Sequence, residues 1–436
     1  MQTNEFLICI NPRCRSVYPL SEVRYECARC GDLLEVTRDF IKLSRRSGKY
    51  WRDLFDDRLK IKSFPWNSGV WRYKEFILAA IPVRKIVSLG EGNTNLIHSP
   101  RLSKLWRCDH LYFKLEGENP TLSFKDRGMT AGVSFANSLP RIRAVACAST
   151  GDTSAAMAAY AAHAQRLQGI VFIPHNKISY EQLSQPMASG AVTLALDTDF
   201  DGCMKLVVPF CKSHGIYLLN SMNSIRIEGQ KAIAFEILQQ LNWKGPDWII
   251  LPVGNAGNIS AVGKGLLELK KLGMISHLPR LAGIQIKQAA PLYHSFKNQF
   301  APLKPVQAGK TVASAIRIGN PVSFKKAVSV LKALQGVVEQ VSEQEVMDSK
   351  AIVEAAGISI CPNSATAVAG FVRLLKRGLI KKKNRVVIIS TAHALKFSQT
   401  TLAYHQGKLL DVRPKYKNPP IPCVATLSAI RKALGW

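Results

Sequence analysis

Seven short apolar runs, at residues 111–115, 144–148, 170–173, 192–196, 248–252, 281–286 and 386–390, recur along the chain. Between them lie longer helical patterns, among them the Ala-rich 153–167 and the stretch 226–241. Runs of aliphatic and β-branched residues bounded by Gly, Ser, Asn and Pro read as strands buried on both faces. Strands that alternate with helices build parallel sheets, because a parallel pair needs a crossover long enough to hold a helix. The expected fold class is therefore α/β, with mostly parallel sheets. At 436 residues the chain is too long for one ordinary domain. Its 47% hydrophobic and 20% charged residues exclude a disordered chain. No apolar stretch approaches the roughly 18–20 residues of a membrane helix, so no membrane span is expected. No secretory signal or transit peptide is visible at the start.

Four of the ten cysteines fall in the first 30 residues, as Cys9 and Cys14, then Cys27 and Cys30 followed by Gly31. Two close cysteine pairs across a hairpin-sized spacer are a zinc-ribbon pattern, and four thiolates fill a tetrahedral shell. Such a metal is structural; the alternative is four free thiols on a β-hairpin. The other six cysteines are scattered, which suits a reducing, cytoplasmic setting. Residues 35–85 read as short helices wrapping a neighbouring domain, and 409–436 as an extended tail ending in a short helix.

Basic residues outnumber acidic ones by 59 to 30, a net charge of +29. They are spread along the chain without the aromatic interleaving that tracks nucleic acid, so no nucleic-acid partner is expected. A positive surface suits an anionic substrate.

Four constellations sit where apolar runs give way to helical patterns. In the first, Lys125-Asp126-Arg127-Gly128 opens a helix, where the positive end of the dipole and burial both disfavour an ammonium. A lysine of lowered pKa is what Schiff-base chemistry needs; the plainer reading is a surface lysine beside Asp126. In the second, Ser149-Thr150-Gly151-Asp152-Thr153-Ser154 offers hydroxyls and helix-start amides to an anion, or serves as an ordinary helix cap. The third, Gly254-Asn255-Ala256-Gly257-Asn258, can curl its amides around a phosphate and is neither a dinucleotide fingerprint nor a nucleotide P-loop. The fourth, Ser390-Thr391-Ala392-His393, puts a hydroxyl at a strand's carboxyl end, where α/β proteins bind ligands. An amine, a phosphate cradle, an anion-binding helix start and a strand-end hydroxyl are the parts of a pyridoxal-phosphate enzyme.

These stretches, together with Leu89-Gly90-Glu91-Gly92-Asn93-Thr94, Asp197-Thr198-Asp199-Phe200-Asp201-Gly202-Cys203-Met204 and Glu228-Gly229-Gln230-Lys231, resemble the threonine synthases, plant-type above all. The likeness runs from about residue 20 to 405. It implies a fold-type-II pyridoxal-phosphate enzyme: an N-terminal zinc-ribbon-like segment over 1–40, a catalytic region over 41–408 with two intertwined α/β subdomains, the smaller near 125–220, and a tail over 409–436. It implies Lys125 as the Schiff-base lysine and proton shuttle. Gly254, Asn255, Ala256, Gly257 and Asn258 hold the cofactor phosphate, Asp152 lies near the 3-hydroxyl, and Thr391 meets the ring nitrogen. Ser149, Thr150, Thr153 and Ser154 take the substrate carboxylate, while Lys114, Asn119, Ser123 and Arg127 are proposed for its phosphate. The implied reaction converts O-phospho-L-homoserine and water to L-threonine and phosphate. Departures are Val253 and Ala394 where the family has glycine, and Asn363-Ser364-Ala365 where the subgroup has His-Thr-Gly. Asp152 stands where most relatives carry Asn. The regulatory extension of plant relatives is not evident, so an unregulated homodimer acting on this small molecule is expected. The competing readings are another fold-type-II lyase, such as a threonine dehydratase, and a basic zinc-ribbon protein with an inert enzyme domain.

Overall fold

The computed structural model describes residues 5–149, 151–175, 180–198 and 200–436; Thr150 and Asp199 lie outside them. Strands β1 (Glu5–Cys9), β2 (Val17–Pro19) and β3 (Leu34–Arg38) form an antiparallel sheet in the order β2-β1-β3. The next six in sequence are β4 (Leu96–His98), β5 (His110–Leu115), β6 (Ala144–Ala148), β7 (Gln168–Pro174), β8 (Val192–Leu196) and β9 (Tyr217–Leu218). The last four are β10 (Trp248–Pro252), β11 (Arg280–Ile286), β12 (Val337–Val341) and β13 (Arg385–Ser390). One sheet runs β12-β11-β10-β13-β5-β4, parallel except for the β4–β5 pair, and the other, β8-β7-β6-β9, is parallel throughout.

Each of the seven apolar runs is a strand of these two sheets. Side chains alternate between faces along a strand, and the larger sheet shows why both faces had to be apolar. Ile249, Leu251, Val387 and Ile389 enter one core, while Trp248, Ile250, Val386 and Ile388 enter another. Burying each such side chain is worth roughly 1.5–3 kcal/mol. The small antiparallel sheet has no separate core: Leu7, Leu34 and Val36 pack in the same cluster as Phe235 and Ile249.

The helices that matter for the site are α1 (Lys125–Ser138), α2 (Asp152–His163), α3 (Ser224–Gln230), α4 (Ala232–Gln240), α5 (Gly257–Lys271) and α6 (Pro362–Lys376). Two sequence expectations change here. The pattern at 153–167 ends as a helix at His163, because β7 begins at Gln168. The pattern at 226–241 is two helices that meet at Lys231. Residues 35–85 begin with β3 and continue as short helices, including Gly48–Leu59. In the tail, the helix Leu427–Leu434 buries no residue. No helix of the described residues is long and apolar enough to cross a membrane.

Lys231 marks a buried charge network that joins the small sheet to the body. Arg38, at the end of β3, reaches Glu228 of α3 and Glu268 of α5, and Lys231 lies 2.6 Å and 2.7 Å from the same two carboxylates. Burial pushes the Glu228 carboxyl up, but Lys231, Lys264 and Arg38 outweigh it and hold it at about 2. Removing one partner of such a network strands the others without water or counter-charge. Arg38→Met should therefore lower the unfolding free energy by about 3–5 kcal/mol in a urea titration at neutral pH. A depressed carboxyl stabilises above its ordinary value and loses that contribution as pH falls through its folded one. The gap between the two proteins should accordingly narrow from pH 4.5 toward about 2.

Candidate active site

Parallel pairing puts the carboxyl ends of β10, β13 and β5 side by side at one edge of the larger sheet. The loops that follow them carry three of the four constellations. Chain segments lock there: Phe124 N donates to Thr391 O at 3.0 Å, His393 N donates to Leu122 O at 3.1 Å, and Ser123 bridges Ala392. Lys125 follows as the first residue of α1.

Lys125 is half-buried and forms no ion pair with a described residue; its Nζ lies 4.4 Å from the centre of the Phe124 ring. The loss of water around it, then the charge of Arg226, push its pKa down to about 7, against a smaller opposing pull from Asp152. Arg226 is the residue that sequence reasoning missed. It is 3% exposed on α3, gives one hydrogen bond to Leu219 O, and has no ion pair and an unpartnered Nε among the described residues. Burial pulls its pKa down to about 10. Glycines bring it there. A Cβ on Gly229 would sit 1.8 Å from Arg127 O, and one on Gly128 would sit 3.1 Å from Arg226 O, so α1 and α3 approach backbone to backbone. The sequence signal was the spacing from Arg226 to Gly229; the missing carboxylate is visible only in space.

The phosphate-cradle loop turns through Ala256, which caps α5 in the left-handed region at φ 63°. Gly254 is pressed against Ile316, with its missing Cβ 3.0 Å from that residue's Cα. Asn255 O accepts Ser323 N at 3.0 Å, which brings a second segment to the loop. The buried side-chain atoms of Asn258 and the Ser323 hydroxyl have no hydrogen-bond partner among the described residues. Buried polar groups of native proteins are almost always paired, so this cluster at a helix start is built for an anion. Ser323 carried no signal in the sequence.

Thr391 is 6% exposed; its N–H donates to Ser364 Oγ at 2.8 Å, and the two hydroxyls lie 3.1 Å apart. Asp152 opens α2, 9% exposed, with Oδ1 2.9 Å from Lys396 Nζ. Ser149 accepts Gly151 N at 3.2 Å and Ser154 donates to Gly151 O at 2.7 Å, which tightens the start of α2; Thr153 is half-buried beside them.

Three of the residues proposed for a substrate phosphate are committed elsewhere. Lys114 gives its three protons to Thr94 O, Glu236 and Gln240. Arg127 spends its guanidinium on Glu116, Glu236, Gly69 O and Thr94. Asn119 gives its amide protons to Glu116, and its oxygen accepts Gly92 N. None has a proton left for an anion, so that expectation passes from them to Arg226. Ser123 is buried, and its hydroxyl receives a 3.4 Å contact from Lys125 N.

In the N-terminal sheet, the sulfurs of Cys9, Cys14, Cys27 and Cys30 lie within 4.8 Å of one another. Gly31 takes φ 75°, the turn that folds Cys30 back toward Cys27.

The family described as pyridoxal-phosphate dependent enzyme matches residues 87–392. The chain is 44% identical to threonine synthase 2, chloroplastic, of Arabidopsis thaliana over 429 residues, 97% of this chain and 83% of that protein. It is 42% identical to threonine synthase of Methanocaldococcus jannaschii over 388 residues, 88% and 91% of the two chains. Among solved structures, threonine synthase from Escherichia coli superposes with a TM-score of 0.70 at 20% identity, covering 99% of each chain. The processed form of threonine deaminase isoform 2 from Solanum lycopersicum gives 0.64 at 19% identity, covering 78% of this chain and 94% of that one. The fold is thus common to several activities, while the high-identity relatives are threonine synthases.

An amine reacts as its free base, so labelling of Lys125 in the cofactor-free protein by an amine-selective reagent should rise with pH through about 7. An unshifted lysine would wait until about 10.4. Arg226→Gln removes the like charge and should move the midpoint upward, read by mass spectrometry of the labelled peptide. A midpoint near 10 in the unmutated protein would show that Lys125 is fully solvated.

Proposed function

This chain belongs to the pyridoxal-phosphate dependent enzymes and, among them, to the threonine synthases, and from that membership we infer how its own residues divide the work. Its reaction is the conversion of O-phospho-L-homoserine and water to L-threonine and phosphate. When bound, pyridoxal phosphate supplies an electron sink for negative charge at the carbons beside the substrate's amino group.

The residues fit that cofactor. Its aldehyde needs an unprotonated amine, and Lys125 is a poorly hydrated one. Its phosphate needs partnerless donors, and Asn258 and Ser323 have them beside the backbone of Gly254, Asn255, Ala256 and Gly257. Its ring nitrogen would meet the hydroxyl of Thr391. A hydroxyl there does not force a proton onto that nitrogen, as a carboxylate would. Asp152 is assigned to the ring hydroxyl.

Lys125 then takes the proton from the substrate's α-carbon on its Nζ and returns it, because no other amine of the described site is free of an ion pair. The substrate carries two anions. Ser149, Thr153 and Ser154, around the start of α2, are assigned to the carboxylate, and Thr150, outside the described residues, is assigned with them from the sequence. Arg226 is assigned to the phosphate that leaves. The observation that carries this reading is the buried arginine, 3% exposed and influencing Lys125, which has no counter-ion among the described residues. A buried cation is costly unless an anion neutralises it, and an O-phosphorylated substrate brings one. The threonine dehydratase alternative gives this arginine no phosphate to bind. Single cysteines scattered along the chain suit a reducing, cytoplasmic setting, and basic residues spread without aromatic interleaving suit a small anionic substrate rather than a nucleic acid.

Two outcomes test the reading. Purified chain with pyridoxal phosphate and O-phospho-L-homoserine should release phosphate and threonine one for one, and Arg226→Ala should raise KM for this substrate by about 10- to 100-fold, the range of one lost charged hydrogen bond. Release of a keto acid instead of threonine would favour the dehydratase reading. The four sulfurs suit one structural zinc, closed to water and substrate. Cys27→Ser should then lower the thermal midpoint and hasten proteolysis before residue 40 with little change in kcat. Metal-free protein from a chelator-free purification would end the zinc assignment.

A further inference from the structure

Lys396 has no role in the reading above, yet it is 9% exposed in the middle of the site. It lies in the short helical turn Ala394–Phe397, capped by His393, whose ring nitrogen accepts Leu395 N at 3.2 Å. The turn is fixed to the chain before Lys125 by His393 N donating to Leu122 O. From there the Lys396 ammonium reaches two places at once. It donates to Thr121 O at 2.8 Å and lies 2.9 Å from Asp152 Oδ1. Thr121 in turn donates its backbone N–H to Asp126 at 2.7 Å and its hydroxyl to the same carboxylate. One ammonium thus joins the loop that delivers Lys125 to the helix start that delivers Asp152. Among the described residues, no other cation pairs with Asp152.

A buried carboxylate facing an ionisable ring hydroxyl has a specific fault. It repels the deprotonated form of that hydroxyl and, unpaired, is itself costly to bury. A carboxylate and an ammonium together carry the net charge of a neutral amide. We propose that Lys396 is a positioning residue of the site, which holds Asp152 against the cofactor ring and cancels its charge there, so that Asp152 and Lys396 act as one unit. This rests on the assignment of Asp152 to the ring hydroxyl. The other titratable groups that face the pair are Asp126, which feels Lys396, and Lys125 and Cys361, which feel Asp152. Their charges add to the same balance, and Arg226 acts in turn on Lys125.

The test compares Lys396→Met, Lys396→Arg, Asp152→Asn and the double variant Asp152→Asn/Lys396→Met. Three quantities are read: the dissociation constant for pyridoxal phosphate by absorbance titration, the pH midpoint of the bound cofactor's visible band, and the thermal midpoint of the cofactor-free protein. Lys396→Met should weaken cofactor binding about tenfold or more, as expected when a buried pair is broken, and should move the band's midpoint. Lys396→Arg should keep both close to the parent values. The double variant should bind the cofactor better than Lys396→Met alone, because the amide needs no counter-charge. Lys396→Met with unchanged affinity and band overturns the proposal, and so does a double variant no better than Lys396→Met. Asp152→Asn with an unmoved band overturns the Asp152 assignment instead. A Lys396→Met protein whose thermal midpoint collapses is judged on Lys396→Arg, where loss of the band's midpoint with an intact fold again overturns the proposal.

Discussion

Two cations of the poorly hydrated site, Lys125 and Arg226, form no ion pair among the described residues, and only one of them has been disarmed. Lys125 escapes the cost of burial by giving up its proton near pH 7. Arg226 cannot do the same at any ordinary pH, and among the described residues it has no carboxylate to lean on. Several other buried cations are matched: Arg127 with Glu116 and Glu236, Lys231 with Glu228 and Glu268, Lys396 with Asp152. An arginine without an ion pair among the described residues, beside a free amine, is what supports our assignment of Arg226 to the substrate's phosphate. Much of the surrounding structure serves to hold that unpaired charge in place.

The holding is done by backbone contacts and by a long ionic chain. The glycine contact between α1 and α3 fixes the separation of Lys125 and Arg226. Beside that contact α3 is gripped a second time through Glu228, whose partners Arg38 and Lys264 come from β3 and α5. Helix α5 begins at the phosphate cradle. Arg38 therefore ties the cysteine-bearing sheet to both the arginine helix and the cradle helix. That sheet is a brace for the site, which explains why its apolar side chains join the main core.

The strands were legible because parallel sheets covered on both faces demand continuous apolar runs, and 248–252 is one in which every residue is buried. β12 escaped notice because Val337-Val338-Glu339-Gln340-Val341 breaks its run with two polar residues, of which Glu339 is buried against Arg377. β9 is only two residues long. At the candidate site, the placement of Lys125, the cradle loop, Asp152 and Thr391 at strand–helix junctions was legible, because each follows an apolar run that is a strand. Arg226, Ser323, Ser364 and Lys396 were not, since their meaning depends on partners distant in sequence. Lys114 and Arg127 misled for the same reason: basic residues near the reactive lysine look available until Glu236, more than a hundred positions away, is seen to occupy them.

The account stands on the identity of the amine, and reduction with borohydride addresses it directly. The chain is saturated with pyridoxal phosphate, reduced, digested and mapped by mass spectrometry. The pyridoxyl mass should appear on the peptide carrying Lys125 and on no other. A label on Lys396, Lys114 or any other lysine, with Lys125 unmodified, would contradict the account at its base.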